Sequence, residues 1–357
     1  MRLSRTLLSI TMASVMLLYS SAFAIRSPTT TLKASKPRVA KLKAASAVAD
    51  VPSGGGGGTA TISNEIFNLV KNIVGAGVLS LPAGIAAFGN APSALIPASV
   101  LIGFFGVMSA YGFSLIGRVC AYTGASSYRE AWSKSVGERS SVLPAVSVCF
   151  KTFAAILAYS MILADTFQKL LTTAGITASR SNTLFGITSL VLLPLCLLKN
   201  LNALAPFSLL GIMGMGYTSL AMAFRYFGKA YSPGGAFFGQ VAAPAFGSIG
   251  AKGAFTPSVV LLMCMLSTAY MAHFNAPKFY IELKDNTIPR YNTVVFTSFG
   301  AAIAIFAAVA SLGFLTFGTT SSGLILNNYA TTDVVMSLAR VAVALSIVFS
   351  YPLAFVG

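Results

Sequence analysis

The sequence predicts an all-α polytopic membrane protein, a helical bundle with about eight membrane-crossing helices present. Three observations carry this reading. The 357 residues are 55% hydrophobic and only 9% charged, where a soluble domain carries roughly 25% charged residues. Apolar runs of about 20 residues, the length that crosses a bilayer as a helix, recur from residue 66 to the end. Two of these runs are interrupted at their middles, at Gly75-Ala76-Gly77 and around His273-Phe274-Asn275-Ala276-Pro277. Unpaired backbone groups are costly in hydrocarbon, so breaks at membrane depth persist only where they are buried in protein or line a cavity. The pair points to a solute site.

The amino end is read as targeting. Residues 1–24 begin with Arg2 and Arg5, continue through an apolar run from Leu7 to Tyr19 and end on Ala22-Phe23-Ala24, a small-x-small cleavage pattern. This predicts a signal peptide; a first membrane helix is the alternative, but the run falls short of the roughly 20 residues needed. Residues 25–62 follow as a basic segment and Gly-rich linker. No acid occurs from Ile25 to Ala49, while Arg26, Lys33, Lys36, Arg38, Lys41 and Lys43 alternate with Ser and Thr, the composition of a transit peptide. The Ser21-Ala22-Phe23-Ala24 junction resembles the Ala-Phe junction of bipartite plastid presequences, which implies a plastid membrane. A secretory signal with a basic tail, leading to a plasma, vacuolar or other endomembrane, is the competing reading. The run Ser53 to Gly58 lacks the Gly-Lys-Ser/Thr ending of a phosphate loop, which argues against nucleotide binding.

The transmembrane domain is expected over residues 63–357, with spans near 66–88, 92–117, 142–171, 183–198, 204–226, 256–281, 292–317 and 334–356. Only Gly89-Asn90-Ala91 joins the first two, so they form a tight hairpin. Even-numbered loops carry 8 basic residues against 5 in odd-numbered ones, placing the even loops on the cytosolic side or its equivalent. The +16 formal charge is spread over tail and loops rather than gathered on one face, which excludes nucleic acid as a partner and leaves orientation and targeting. The chain stops inside the apolar run Tyr351-Pro352-Leu353-Ala354-Phe355-Val356-Gly357, and the expectation is a fragment whose carboxy-terminal helices are missing.

The breaks suggest chemistry. Gly75 and Gly77 let the first span unwind, so that amide groups at the start of the following half-helix can face a carboxylate with a favourable dipole; small residues that merely let helices pack closely are the alternative. The sixth span supplies the counterpart, with His273, Asn275 and Pro277 at its middle, where polar groups need partners. A histidine satisfied by a structural hydrogen bond competes with a gating, substrate-site or proton-sensing role for His273. Five spans separate the two breaks, the offset of corresponding helices in two inverted five-helix repeats.

Four motifs then carry a resemblance. Asn68-Leu69 with Val74-Gly75-Ala76-Gly77-Val78-Leu79, His273-Phe274-Asn275-Ala276-Pro277, Gly313-Phe314-Leu315-Thr316-Phe317-Gly318 and Tyr351-Pro352 resemble the amino acid/auxin permease family over residues 63–357. The resemblance implies a leucine-transporter-like inverted-repeat bundle and secondary active transport of amino acids by alternating access. It also implies a substrate site of Gly75, Ala76, Gly77 and Val78 facing His273, Phe274 and Asn275. No cofactor is implied beyond H⁺ or Na⁺ as coupling ion; the partners are the amino acid and the lipid bilayer. Sodium-coupled members place a Ser-Asn-like pair where this chain reads Val70-Lys71-Asn72, and the eighth span offers Ser346 and Ser350, four apart on one face. The hypothesis is that the Lys71 ammonium occupies or repels the cation site, so that transport is H⁺-coupled or uncoupled rather than Na⁺-coupled. Snorkelling of Lys71 to the headgroups is the competing reading.

Other classes fare worse. Lys151 and Asp165 on the third span are 14 residues apart, about 21 Å along a helix, and cannot pair; Asp165 is expected near a membrane surface. One histidine, eight acids and four scattered cysteines give no nucleophile, base or metal cluster, so neither an enzyme nor a metal site is expected. A seven-helix receptor does not need two broken helices, and a channel-like passive facilitator differs from a carrier in energetics rather than fold.

Overall fold

The computed structural model describes residues 58–197 and 205–356. Thr61 caps the first helix, α1 (Ile62–Ile73), accepting from the Asn64 amide at 3.3 Å. A 3₁₀ turn, Ala76–Ser80, follows and leads into α2 (Leu81–Phe88). The hairpin at Gly89-Asn90-Ala91 opens into α3 (Leu95–Thr123), which ends on Gly124 in the left-handed conformation, φ 64°. A short loop helix, α4 (Tyr128–Ser135), is capped by Ser127. Its Glu130 carboxyl is held down to about 2 by the Lys134 ammonium and by bonds from Ser126. Then come α5 (Val142–Thr173), α6 (Arg180–Ile187), α7 (Leu193–Cys196) and α8 (Ala205–Phe227). The sixth segment divides into α9 (Val259–Ala269), a 3₁₀ turn His273–Asn275 and α10 (Ala276–Glu282), and the chain continues in α11 (Ile288–Phe317) and α12 (Val334–Val356).

Eight spans were expected; five stretches are long and apolar enough to cross a membrane among the described residues, six when the bent pair Ile62–Ile73 and Ala76–Phe88 forms one. The expected span 183–198 breaks into α6, a π-helical stretch Thr188–Leu192 and α7 with Pro194 in its first turn, so no piece is long enough to cross. The expected span 204–226 forms α8, which at 23 residues has spanning length, but its first side chains lie outside the described set. The presequence, residues 1–57, also lies outside the described residues. The architecture is an all-α multi-pass membrane bundle. Large apolar side chains such as Phe104, Phe150, Phe153, Leu220 and Phe224 point outward, as suits a surface solvated by lipid.

The core is built around α11, which packs against α1, α2, α3 and α8, while α12 packs on α8 and α5. Small residues set the closeness of the α3–α11 seam: a Cβ at Gly106 would fall 2.3 Å from Ile303 Cγ1, and one at Gly117 only 2.1 Å from Tyr291 Cε1. At one end, a buried polar clamp joins α8 to α12. Asp333, fully shielded, accepts from Arg225 Nη2 at 2.7 Å and from the Tyr231 hydroxyl at 2.9 Å. Arg340, 2% exposed, donates to the carbonyls of Leu326 and Tyr329. Asp165 pairs with Arg180 at 2.5 Å, so the third span closes its acid locally and not with Lys151.

Two stability effects follow. Asp333→Ala leaves a buried guanidinium and phenol without their acceptor and should cost about 3–5 kcal/mol, seen as a lowered midpoint in detergent thermal unfolding; Glu138→Ala, on an exposed loop acid, should leave that midpoint unchanged. Gly117→Val should destabilise by about 1–3 kcal/mol through overpacking against Tyr291.

Candidate functional site

The first break starts where α1 runs out of propagating hydrogen bonds. Val74 N–H still donates to Val70 O at 2.7 Å, but the Gly75 amide turns to Ile73 O at 2.9 Å, and the 3₁₀ turn beyond restarts at Val78. The two halves are bent by 43°. Ser80 Oγ donates to the Gly77 carbonyl at 2.7 Å. The amides of Ala76 and Gly77 have no hydrogen bond among the described residues.

The second break follows Ala269. Tyr270 N–H closes on Leu266 O at 3.0 Å, and the chain resumes through the turn His273–Asn275, with Pro277 in the first turn of α10. Two buried tyrosines pin the segment, since Tyr270 donates its hydroxyl to Ile102 O at 3.1 Å and Tyr291 donates to the Ala276 carbonyl at 3.2 Å.

The two breaks touch. Asn275 Nδ2 donates to Asn72 Oδ1 at 3.0 Å across the gap, and a Cβ at Gly77 would stand 4.0 Å from Ala269 Cα. Asn72 Nδ2 is shielded from solvent and has no hydrogen-bond partner among the described residues. The third span contributes Tyr159, whose hydroxyl lies 3.8 Å from where a Cβ on Gly75 would be. Tyr159 is not among the residues the sequence points to, and Asn72 enters there only as part of Val70-Lys71-Asn72, without a site role. A phenol at mid-span, far from the interfaces where tyrosine collects, was the available signal.

The expected site residues divide by what their side chains do. Gly77 is exposed, Gly75 partly so, and both lie at the gap, whereas Ala76 and Val78 are 7% and 0% exposed with side chains in the core, so these two can offer only backbone. His273 faces away from the first break: its Nε2 lies 3.0 Å from the Ser109 carbonyl on α3, which fixes the proton on that nitrogen. Phe274 lies under the Lys151 ammonium, 4.2 Å from the ring centroid. Asn275 joins the breaks directly.

The expected coupling residues are brought partly together. A Cβ on Gly211 of α8 would lie 2.7 Å from Ser346 Oγ and 3.6 Å from Lys71 Cε, so α1, α8 and α12 converge there. Ser350 instead returns its hydroxyl to the Ser346 carbonyl at 2.8 Å. Among the described residues no group of three or more His, Cys, Asp or Glu could hold a metal ion.

A match to the family described as transmembrane amino acid transporter protein covers residues 58–356. The chain belongs to this family. Among curated relatives, a Danio rerio protein bearing the provisional name sodium-coupled neutral amino acid transporter 11 is 24% identical over 305 residues, which is 84% of this chain and 64% of that protein. The Arabidopsis thaliana amino acid transporter AVT6E is 24% identical over 278 residues, 75% of this chain and 54% of its own length. Sodium-coupled neutral amino acid transporter 7 of Bos taurus is 22% identical over 314 residues, 85% and 64% of the two chains. The chain thus spans less than two thirds of these relatives. Membership of a transporter family, and not of an enzyme family, agrees with a site made of amides, carboxamides and a phenol.

The hydrogen bond between the breaks is open to a double-mutant cycle. Asn72→Ala, Asn275→Ala and the double variant, compared by thermal unfolding, should show a coupling of about 0.5–1.5 kcal/mol; additive losses would mean that the bond contributes nothing.

Proposed function

We propose that the protein is a secondary active transporter that moves amino acids by alternating access between its paired helix breaks. The observation that carries this reading is the Asn72–Asn275 contact, which sets the two interruptions side by side at membrane depth. The unbonded amides of Ala76 and Gly77 suit a substrate carboxylate, backed by the positive end of the turn that follows. The last carbonyls of α1 are the complementary end for an ammonium. Tyr159 adds a hydroxyl beside Gly75, and Asn72 Nδ2 an unused donor. In this reading His273 holds the second break against α3, and Phe274 and Asn275 form the wall opposite Gly75 and Gly77.

Coupling turns on Lys71. Relatives named as sodium-coupled share this fold family, yet here the Lys71 side chain approaches, through its Cε, the same glycine of α8 as Ser346. A positive charge near that convergence opposes a sodium ion by about 4 kcal/mol at 4 Å in an effective dielectric of 20. Transport is therefore H⁺-coupled or uncoupled, with Lys71 standing where a cation would bind and Ser346 beside it. The absence of acids through Ala49 supports delivery to a plastid membrane, which a fluorescent fusion of residues 1–62 would test: reticular or plasma-membrane signal without plastid signal would refute it.

The decisive measurement is radiolabelled amino acid uptake by the full-length protein in proteoliposomes, with Na⁺ and pH gradients imposed separately. Accumulation that follows the pH gradient, or exchange without net accumulation, is expected in sodium-free buffer; uptake that collapses without Na⁺ and ignores pH would overturn the coupling reading. Gly75→Ala meets no packing obstacle, since the only atom near its Cβ among the described residues is the Tyr159 hydroxyl at 3.8 Å. It should leave thermal stability near wild type while lowering kcat/KM about tenfold or more by filling the site.

A further inference from the structure

The seven described acids include one that is buried with no counter-charge of its own. Asp165 has Arg180, Asp333 has Arg225, Glu130 has Lys134 and Glu282 has Lys278, while Glu138 and Asp285 are exposed. Glu65, in the first turn of α1, is 1% exposed, and its Oε2 is shut from solvent with no hydrogen-bond partner among the described residues. The charged groups that face it come from α10: Glu282, a like charge, and Lys278, which is largely exposed and already pairs loosely with Glu282 at 3.9 Å. From α11 it meets Tyr291, whose hydroxyl is already given to the Ala276 and Phe113 carbonyls. Arg225, the charged residue of α8, is held by Asp333.

Its position gives this acid leverage. Five residues earlier, the chain is stitched to the end of α10: Ala60 N–H donates to Glu282 O at 3.0 Å, and Lys284 N–H donates to Ala60 O at 2.9 Å. One residue later, the Ile66 carbonyl accepts from Ser298 Oγ of α11 at 3.3 Å. Glu65 is thus enclosed in the seam that ties the start of the first broken span to the end of the second. A charged, unpaired carboxylate in that seam would be left without solvation and set against Glu282, and either the seam opens to water or the group takes up a proton.

We propose that Glu65 is the proton-binding site of the transport cycle and that its protonation closes the seam between the start of α1 and the end of α10. The inference rests on the H⁺-coupled reading above and supplies the group that reading lacked. Binding a proton neutralises Glu65 and removes the repulsion with Glu282, so the closed form is favoured; release to water on the side where the seam parts restores the charge and favours the open form. Coupling arises because the same half-helix, α1, carries Glu65 at one end and the substrate break at the other.

The test uses the full-length protein in sodium-free proteoliposomes, with two assays: accumulation driven by an imposed pH gradient, and exchange of labelled against unlabelled amino acid at equal pH. Glu65→Gln, which mimics the protonated group, should lose pH-driven accumulation at least about tenfold, within the usual range of coupling between two sites. It should keep exchange near wild type, and Glu65→Asp should recover part of the drive. Full pH-driven accumulation in Glu65→Gln overturns the proposal. So does loss of both activities in Glu65→Gln and Glu65→Asp alike, which would give the residue a purely structural part. A wild type that exchanges amino acids but ignores pH sinks proton coupling and this inference together while leaving amino-acid transport standing. Wild-type vesicles that move no amino acid sink the transport reading itself.

Discussion

The arrangement depends on one constraint: a helix that breaks inside a bilayer must find internal partners for the backbone groups it frees. This chain breaks two helices and braces the breaks with side chains. Ser80 takes up the Gly77 carbonyl within the first break, while Tyr291 and Ser298 of α11 bond to the Ala276 and Ile66 carbonyls of the adjoining half-helices. Tyr270, at the end of α9, anchors that end to Ile102. Donors left without a partner among the described residues lie at both breaks: the amides of Ala76 and Gly77 and one nitrogen of Asn72 at the first, and the amides of Ala272, His273 and Phe274 at the second. Unanswered donors on two facing breaks in a low-dielectric interior invite an acceptor, and a carboxylate is one.

The same matching explains why the bundle can be both rigid and divided. Two of the anchoring hydroxyls, Tyr291 and Ser298, come from α11, and α11 also packs the small-residue seam with α3. The Asp333 clamp locks α8 to the loop before α12 at one end. Against this frame α1 carries three polar ties, the short bridge at Ala60, the 3.3 Å bond at Ile66 and the carboxamide bond at Asn72, beside the apolar packing of Leu69, Val70 and Ile73 on the core. The break at Gly75 divides the first span after this packed half, and hinges form at such element ends.

The sequence was informative where chemistry is local and silent where it is relational. Glycines two apart and a mid-span proline point to the breaks, because Gly75 and Gly77 favour unwinding and Pro277 removes a backbone donor, although close helix packing by small residues reads the same way in sequence. Composition alone fixed the membrane class. The direction of His273 was not legible: whether its ring turns toward the first break or toward Ser109 is decided by the space that Gly112 leaves on α3, where a Cβ would stand 3.1 Å from Nε2. Tyr159 and Asn72 depend on which face of one helix meets another, and a π-helical stretch at Thr188–Leu192 rotates the faces of the expected fourth span in a way that hydropathy does not record. Glu65 reads as an ordinary first-turn acid until Tyr291 and α10 are seen to enclose it.

The two charges of α1 belong to one argument. Glu65 stands near its amino end and Lys71 near its carboxy end, six residues and so about 9 Å apart along the axis, each on the end of the helix whose dipole favours it. Neither can neutralise the other at that separation, so each must be met by something outside α1. For Lys71 the neighbours are the glycine of α8 and the Ser346 hydroxyl, a setting that tolerates a cation without binding it tightly. For Glu65 they are a like charge and a phenol already engaged. The imbalance is therefore greatest at the amino end, where the buried carboxyl has no counter-charge of its own. One half-helix thus carries both a lysine beside its break and an unpaired acid at its start, so the uncompensated charge of the first span lies on the element that ends at Gly75.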